Sequence, residues 1–197
     1  MNLLQDQYNE IGVVARHCDN LKLTISENEA SNFDLADLFC DFWEEIENIN
    51  AEIIAYESDS IPPIPENYTE KCALLRGGTY LDCKNKPRVF EGVYKILAYY
   101  SYSRYIVLNG FSDTPNGLVQ KTNEFSIPKT LKELELFADK YRNMGFISFG
   151  RTVKYICKNT NIFDFNHCSK VDCNCGDEDC GTTKAKGYGF KGLNVNK

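Results

Sequence analysis

The chain has 197 residues, of which 28 are acidic and 22 basic, and its formal net charge at neutral pH is −6. This length suits one domain with a substantial buried core, and the excess of acid argues against a general phosphate-binding surface. Residues 1–7 are mostly polar, which does not fit a signal peptide, and no apolar run is long enough to span a bilayer. We therefore expect a protein that has no signal peptide or membrane span and is made in a cytoplasm.

The first predicted element is a short amphipathic helix over residues 2–16, closed by Asp19 and Asn20. A second helical region is predicted to begin near Ser26, because Ser26 and Glu29 have capping-box spacing, and to end near Tyr56. Its apolar positions recur every three or four residues: Phe33, Ala36, Phe39, Trp43, Ile46, Ile49 and Ile53. The acidic residues among them predict a solvated face, with a carboxylate metal site as the alternative.

A connector and a β-hairpin follow. Three prolines in residues 58–68 exclude regular helix and sheet ladders there. Gly77 and Gly78 then precede two short apolar runs that are separated by a turn at residues 84–87. This pattern predicts a hairpin over residues 79–90.

The run over residues 89–121 is the least polar part of the chain, and residues 93–108 predict a helix that is apolar or aromatic on nearly every side. Such a helix is buried all round, and Lys95 and Arg104 exclude a membrane span. Two interpretations remain open: the central helix of a monomeric bundle, or a helix buried partly against other subunits. Tyrosines suit the second, and the candidate interface residues on this helix are Tyr94, Tyr99, Tyr100, Tyr102 and Tyr105.

After a stop at Asn109 and Gly110, an extended piece over residues 118–125 is expected, and Ser126 and Pro128 then open the last long helix. That helix should run to about Cys157, with Gly145 and Gly150 as weak points. The fold class expected from these elements is mainly α: a bundle of three to four helices with an inserted β-hairpin and a small Cys-rich C-terminal tail. The positions that keep one face of the last helix are Leu131, Leu134, Ala138, Tyr141, Gly145, Phe149, Val153 and Ile156.

Catalytic patterns are missing from the sequence. No glycine-rich phosphate loop lies between a strand and a helix, no serine elbow is present, and His17 and His167 have no recognisable acid partner. We therefore expect an assembly component and not an enzyme.

The tail contains the sharpest chemical motif. Four thiols lie so close together that they suit one tetrahedral, structural Zn²⁺, with His167 as an alternate ligand. Disulfides and free thiols are the alternatives, because the spacing is not that of paired Cys-x2-Cys knuckles. The preferred ligands are Cys168, Cys173, Cys175 and Cys180. Residues 182–197 are either a disordered end or an arm that orders on an acidic neighbour or on DNA phosphate. The scattered Cys18, Cys40, Cys72, Cys83 and Cys157 are best explained as free, buried thiols.

Four segments together resemble a known family: LLRGGTY at residues 74–80, FEGVYKILAYYSYSRYI at 90–106, NGLVQK at 116–121 and YRNMG at 141–145. They are similar to head-to-tail adaptor (connector) proteins of tailed bacteriophages, most of all to those of crAss-like phages of Bacteroidota. The likeness covers roughly residues 1–160, and the tail over residues 161–197 departs from it.

The resemblance implies a virion structural protein of the neck. It would form a homo-oligomeric ring, commonly of twelve copies, that docks beneath the portal protein, contacts other tail or ring proteins, and lets DNA pass without sequence-specific binding. Residues 93–108 would form the bundle centre, and residues 118–125 a reaching arm with Leu118 and Val119 at a subunit contact. The rival function is a small zinc-binding, nucleic-acid-binding or regulatory protein, suggested by the cysteine tail and its basic end.

Overall fold

A computed structural model of the chain describes residues 3, 8, 11, 19–59, 63–114, 117–120 and 130–165. This part is mainly helical, with two antiparallel two-stranded sheets, which confirms the predicted fold class. The elements in order are α1 (Asn20–Glu29), a π-helical segment (Ala30–Leu35), α2 (Ala36–Phe39), α3 (Phe42–Asp59), α4 (Tyr68–Arg76), β1 (Gly78–Leu81), β2 (Pro87–Phe90), α5 (Gly92–Gly110), β3 (Phe111–Thr114), β4 (Gly117–Gln120) and α6 (Leu131–Lys158).

The helix predicted over residues 2–16 lies outside the described residues except for Leu3, Tyr8 and Ile11, and the last two are buried. Asp19 is the N-cap of α1, since its side chain accepts a hydrogen bond from the Lys22 backbone N–H at 3.2 Å. The predicted helix start near Ser26 is therefore wrong, because Ser26 is a buried residue inside α1.

The predicted continuous helix to Tyr56 is also wrong, because the chain turns at Cys40. Cys40 has a φ of +53°, which a right-handed helix cannot contain, and α3 starts two residues later. Upstream, the wider π turns rotate the helix faces, so Leu35 and Phe39 enter the core whereas Phe33, which was expected there, is exposed.

The hairpin of β1 and β2 confirms the prediction over residues 79–90. The hairpin starts where the backbone at Gly77 passes close to the backbone at Gly92. Gly77 and Gly92 both have positive φ, and a Cβ on Gly77 would lie 2.6 Å from the Glu91 backbone. Only glycine fits at these two positions. This explains the first glycine of LLRGGTY, which is Gly77, and the glycine after Glu91, which is Gly92. The preceding helix α4 was not predicted.

Helix α5 is the centre of the described fold and confirms the helix predicted over residues 93–108. It packs against α1, the π segment, α4 and α6. Val93, Ile96 and Leu97 are fully buried in a cluster that also contains Ile46, from α3, and Val153, from α6. Helix α5 thus shares this apolar core with α3 and α6, and it also contributes Ala98, Tyr99 and Tyr105 to a second, smaller cluster.

The last helix, α6, begins at Leu131 behind a capping box in which Thr130 and Glu133 bond reciprocally. Ser126 and Pro128, which were expected to open it, lie outside the described residues. Gly145 was predicted to be a weak point, but it is a contact point instead: a Cβ there would lie 2.8 Å from Tyr100 Cε2 and 3.2 Å from Tyr99 Cβ. Helices α5 and α6 therefore approach closely because position 145 has no side chain.

Part of the predicted extended piece is β4, which pairs with β3 to form a second hairpin that the sequence did not predict. Residues 121–125 of that piece lie outside the described residues. Among the described helices, none combines the length and apolar character that crossing a membrane requires.

Candidate assembly surface

The predicted interface tyrosines of α5 are used mainly inside the chain. Tyr99, Tyr100 and Tyr105 retain 7, 6 and 7% of their exposure, so they have little surface left for another subunit. Burial raises the pKa of Tyr100 to about 12, with a smaller contribution from the charge of Asp34. The apolar surface of α5 therefore belongs largely to the core of one chain.

The two other candidate tyrosines of α5 are half-buried. Tyr94 donates a hydrogen bond from its hydroxyl to Asn50 Oδ1 at 2.7 Å, which connects α5 to α3. Tyr102 stacks on Tyr105 at 6.0 Å and meets the edge of Tyr141, on α6, at 4.8 Å. These contacts join α5 to α3 and α6 and leave parts of both rings at the surface.

Two further candidates, Leu118 and Val119, lie on β4. Their backbones pair with Asp113 and Ser112 of β3. The candidate interface residues therefore lie on two different elements, α5 and the second hairpin.

An ion-pair cluster that the sequence did not predict joins α5 to the π segment. Arg104 Nε lies 2.6 Å from Asp34 Oδ2, and Arg104 Nη1 lies 3.0 Å from Glu29 Oε2. The hydrogen bond with Asp34 raises the pKa of Arg104, and the guanidinium also lies 5.8 Å from the centre of the exposed Phe33 ring. Arg104 is thus positioned by two acids and is not available as a phosphate ligand.

The outer face of α6 combines exposed apolar and basic side chains. Leu136 is 62% exposed and Ile147 55%, and their separation of eleven residues places them on one side of the helix. Lys140 and Lys154 are exposed on the same side and make no ion pair within the described residues. This face points away from the core. The eleven-residue spacing is the signal in the sequence that could have identified it.

The outer face of α3 has the opposite charge. The helix contains Glu44, Glu45 and Glu47 near its start and no lysine or arginine. Glu44 and Glu47 are exposed without an ion pair in the described part of the chain, whereas burial raises the pKa of Glu45, and the nearby charge of Asp164 raises it further. Farther along, Ile54 is 49% exposed. The predicted solvated acidic face is confirmed for Asp37, Asp41, Glu44 and Glu47, which are exposed, but not for the half-buried Asp34 and Glu45.

The β1–β2 hairpin exposes a third apolar face. Thr79 pairs with Val89 and Leu81 with Pro87, so these four side chains share one side of the hairpin, and all four are exposed. The opposite side contributes Phe90 to the core.

The described residues contain no group of three or more His, Cys, Asp or Glu side chains that could hold a metal ion. The predicted zinc ligands Cys168, Cys173, Cys175 and Cys180, with the alternate ligand His167, lie outside those residues. Of the predicted free, buried thiols, Cys72 is free but only half-buried. The prediction is wrong for three cysteines that form disulfides, namely Cys40, Cys83 and Cys157.

The sequence signature of a protein family matches residues 56–174, which is more than half of the chain. The chain belongs to the DUF6712 family. The description of DUF6712 is a family of unknown function. The matched span contains α4, the β1–β2 hairpin, α5 and α6, so the glycine crossing and the tight α5–α6 contact lie inside the family region. No curated protein and no solved structure matches the chain.

Proposed function

We propose that this DUF6712 protein is a structural component of a bacteriophage virion: a head-to-tail adaptor that forms a ring beneath the portal and connects the capsid to the tail around a DNA channel. The observation that supports this most is the exposure of large apolar side chains on the outer faces of several elements. Leu136 and Ile147 on α6, Ile54 on α3 and Val89 on the hairpin are all about half exposed or more. Large apolar side chains that recur on outward faces suit subunit contacts.

The resemblance to phage adaptors supports the same function. Its segments at residues 74–80, 90–106 and 141–145 form one structural unit: α4 leads through the Gly77–Gly92 crossing into α5, and Gly145 receives Tyr100. The residues that carry the resemblance in these three segments therefore pack together in one part of the fold. In this proposal the protein has no enzymatic activity, and the negative net charge suits a channel wall along which DNA slides.

The proposal is tested by mixing the purified full-length chain with portal rings encoded by the same phage genome and weighing the complexes by native mass spectrometry. We expect a portal complex whose mass increases by a fixed, integral number of chains. A chain that stays monomeric and never joins the portal would contradict the proposal.

The zinc-dependent alternative concerns the cysteines of the tail and calls for a separate measurement. Metal analysis of the full chain, followed by DNA binding at several salt concentrations with and without a chelator, separates the two functions. The adaptor proposal expects no chelator-sensitive DNA binding. Salt-dependent binding that chelation abolishes would favour the nucleic-acid-binding protein.

A further inference from the structure

We propose that neighbouring copies of this chain associate head to tail, with the outer face of α6 of one copy packed antiparallel on the outer face of α3 of the next. This inference rests on the proposed function, for which it names the subunit contact. Its occupant is a second copy of the chain, and its basis is complementary charge at matching spacing on two faces that point away from one core.

The two faces have different compositions. Exposed positions on α3 include acids and no base, whereas α6 has Lys140, Lys154 and Lys158 exposed without an ion pair in the described part of the chain. Packing α3 on α3 or α6 on α6 would place like charges together. Contact between α3 and α6 of different copies places unlike charges together.

The spacing along the two helices also matches. On α6, Lys154 follows Ile147 by seven residues; on α3, Glu47 precedes Ile54 by seven residues. Seven residues are two helical turns, about 10.5 Å, so each charge lies on the same side of its helix as the isoleucine. If Ile147 packs on Ile54 with the helices antiparallel, Lys154 faces Glu47.

The same register continues toward the end of α6. Lys158 follows Ile147 by eleven residues, about 16.5 Å, and Glu44 precedes Ile54 by ten, about 15 Å. Beside Ile54, the exposed Ala51 and Ala55 are small enough to let a neighbouring helix approach. The contact thus has an apolar centre and a charged flank, as protein interfaces commonly do.

A charge-reversal cycle on the full-length chain tests this contact, with self-association measured by analytical ultracentrifugation, alone and with portal rings present. Lys154→Glu and Glu47→Lys should each weaken association about fivefold or more, because each replaces attraction with repulsion. The combined variant should return to within about threefold of the original chain. Lys132→Glu is the matched control: it makes the same charge change at an exposed position of α6 but lies fifteen residues, about 22 Å, before Ile147, whereas α3 ends five residues after Ile54. Its effect should stay below about threefold.

Three results would overturn the contact. In the first, chains assemble but neither reversal weakens assembly; this result removes the α3–α6 contact and leaves the proposed function standing. In the second, both single reversals weaken assembly and the combined variant does not recover, which means that the two residues do not face each other. In the third, the original chain stays monomeric alone and with the portal, which removes the contact and the proposed function together.

Discussion

The two faces of α6 differ in the contacts that they make within the chain. The inner face has Gly145, Phe149 and Val153 closely packed against α5 and the core, whereas the outer face leaves Leu136 and Ile147 about half exposed. The inner face stabilises the single chain, because its contacts are buried without any partner. The outer face has apolar groups that the chain does not cover. An excess of apolar residues on a helix therefore indicates a subunit contact only where those residues lie on an exposed face of the folded chain.

The largest effect on folding is expected from Tyr100→Asp, because Tyr100 packs against the inner face of α6. Tyr100 is buried against Gly145, and an aspartate would place an unpaired charge in the core and leave a cavity. We expect a loss of more than about 3 kcal/mol in unfolding free energy, measured by urea denaturation. A variant that remains folded but fails to assemble would place Tyr100 at a subunit contact instead.

A smaller loss is expected from Gly145→Ala, because a Cβ would lie 2.8 Å from Tyr100 Cε2. Overpacking of this kind costs about 1–3 kcal/mol. Gly150→Ala is the matched control on the same helix: a Cβ there would meet nothing within 4 Å, so it should stabilise the helix by up to about 1 kcal/mol. Thermal unfolding of both variants checks the difference, and equal shifts would contradict the close α5–α6 contact.

High pH should weaken the inner contact further. Burial raises the pKa of Tyr100 to about 12, and that of Tyr155 to about 12. In the unfolded chain these hydroxyls lose their protons near pH 10, so the unfolded state ionises first, and stability should fall as pH rises from about 10 to about 12. Tyr100→Phe should make this decline shallower in urea denaturation at several pH values. An unchanged slope would show that Tyr100 does not cause the decline.

The smallest effect on folding, and a large one on assembly, is expected from Ile147→Asp on the outer face. Ile147 is 55% exposed, so the unfolding free energy should change by less than about 0.5 kcal/mol. Portal-bound assembly should nevertheless be lost, as measured by native mass spectrometry. Unfolding of this variant would indicate that the outer face is needed by the single chain.

The sequence predicted the elements whose signal is local. Helix α5 followed from a run that is apolar or aromatic on nearly every side, and the β1–β2 hairpin from Gly77 and Gly78 before two short apolar stretches. The turn at Cys40 could not be predicted, because cysteine is a residue type that seldom adopts a positive φ. Asp19 could have been recognised as an N-cap from its residue type alone.

The candidate surface was harder to predict because periodicity does not say on which side of a helix the core lies. The tyrosines of α5 have the composition of an interface, yet Tyr99 and Tyr100 are packed against Gly145, which is about 45 residues away along the chain. The outer face of α6 was hidden among the polar positions of the helix. The predicted inner face is confirmed at Ala138, Phe149, Val153 and Ile156 but is wrong at Leu131, which is 50% exposed.

The central claim, that this DUF6712 protein is a ring component of the phage neck, is tested most directly by electron microscopy of the complex between the full-length chain and its portal. We expect a closed ring of copies of this chain beneath the portal, coaxial with its channel. A portal without additional density beneath it, or with isolated copies of the chain in place of a ring, would contradict this role.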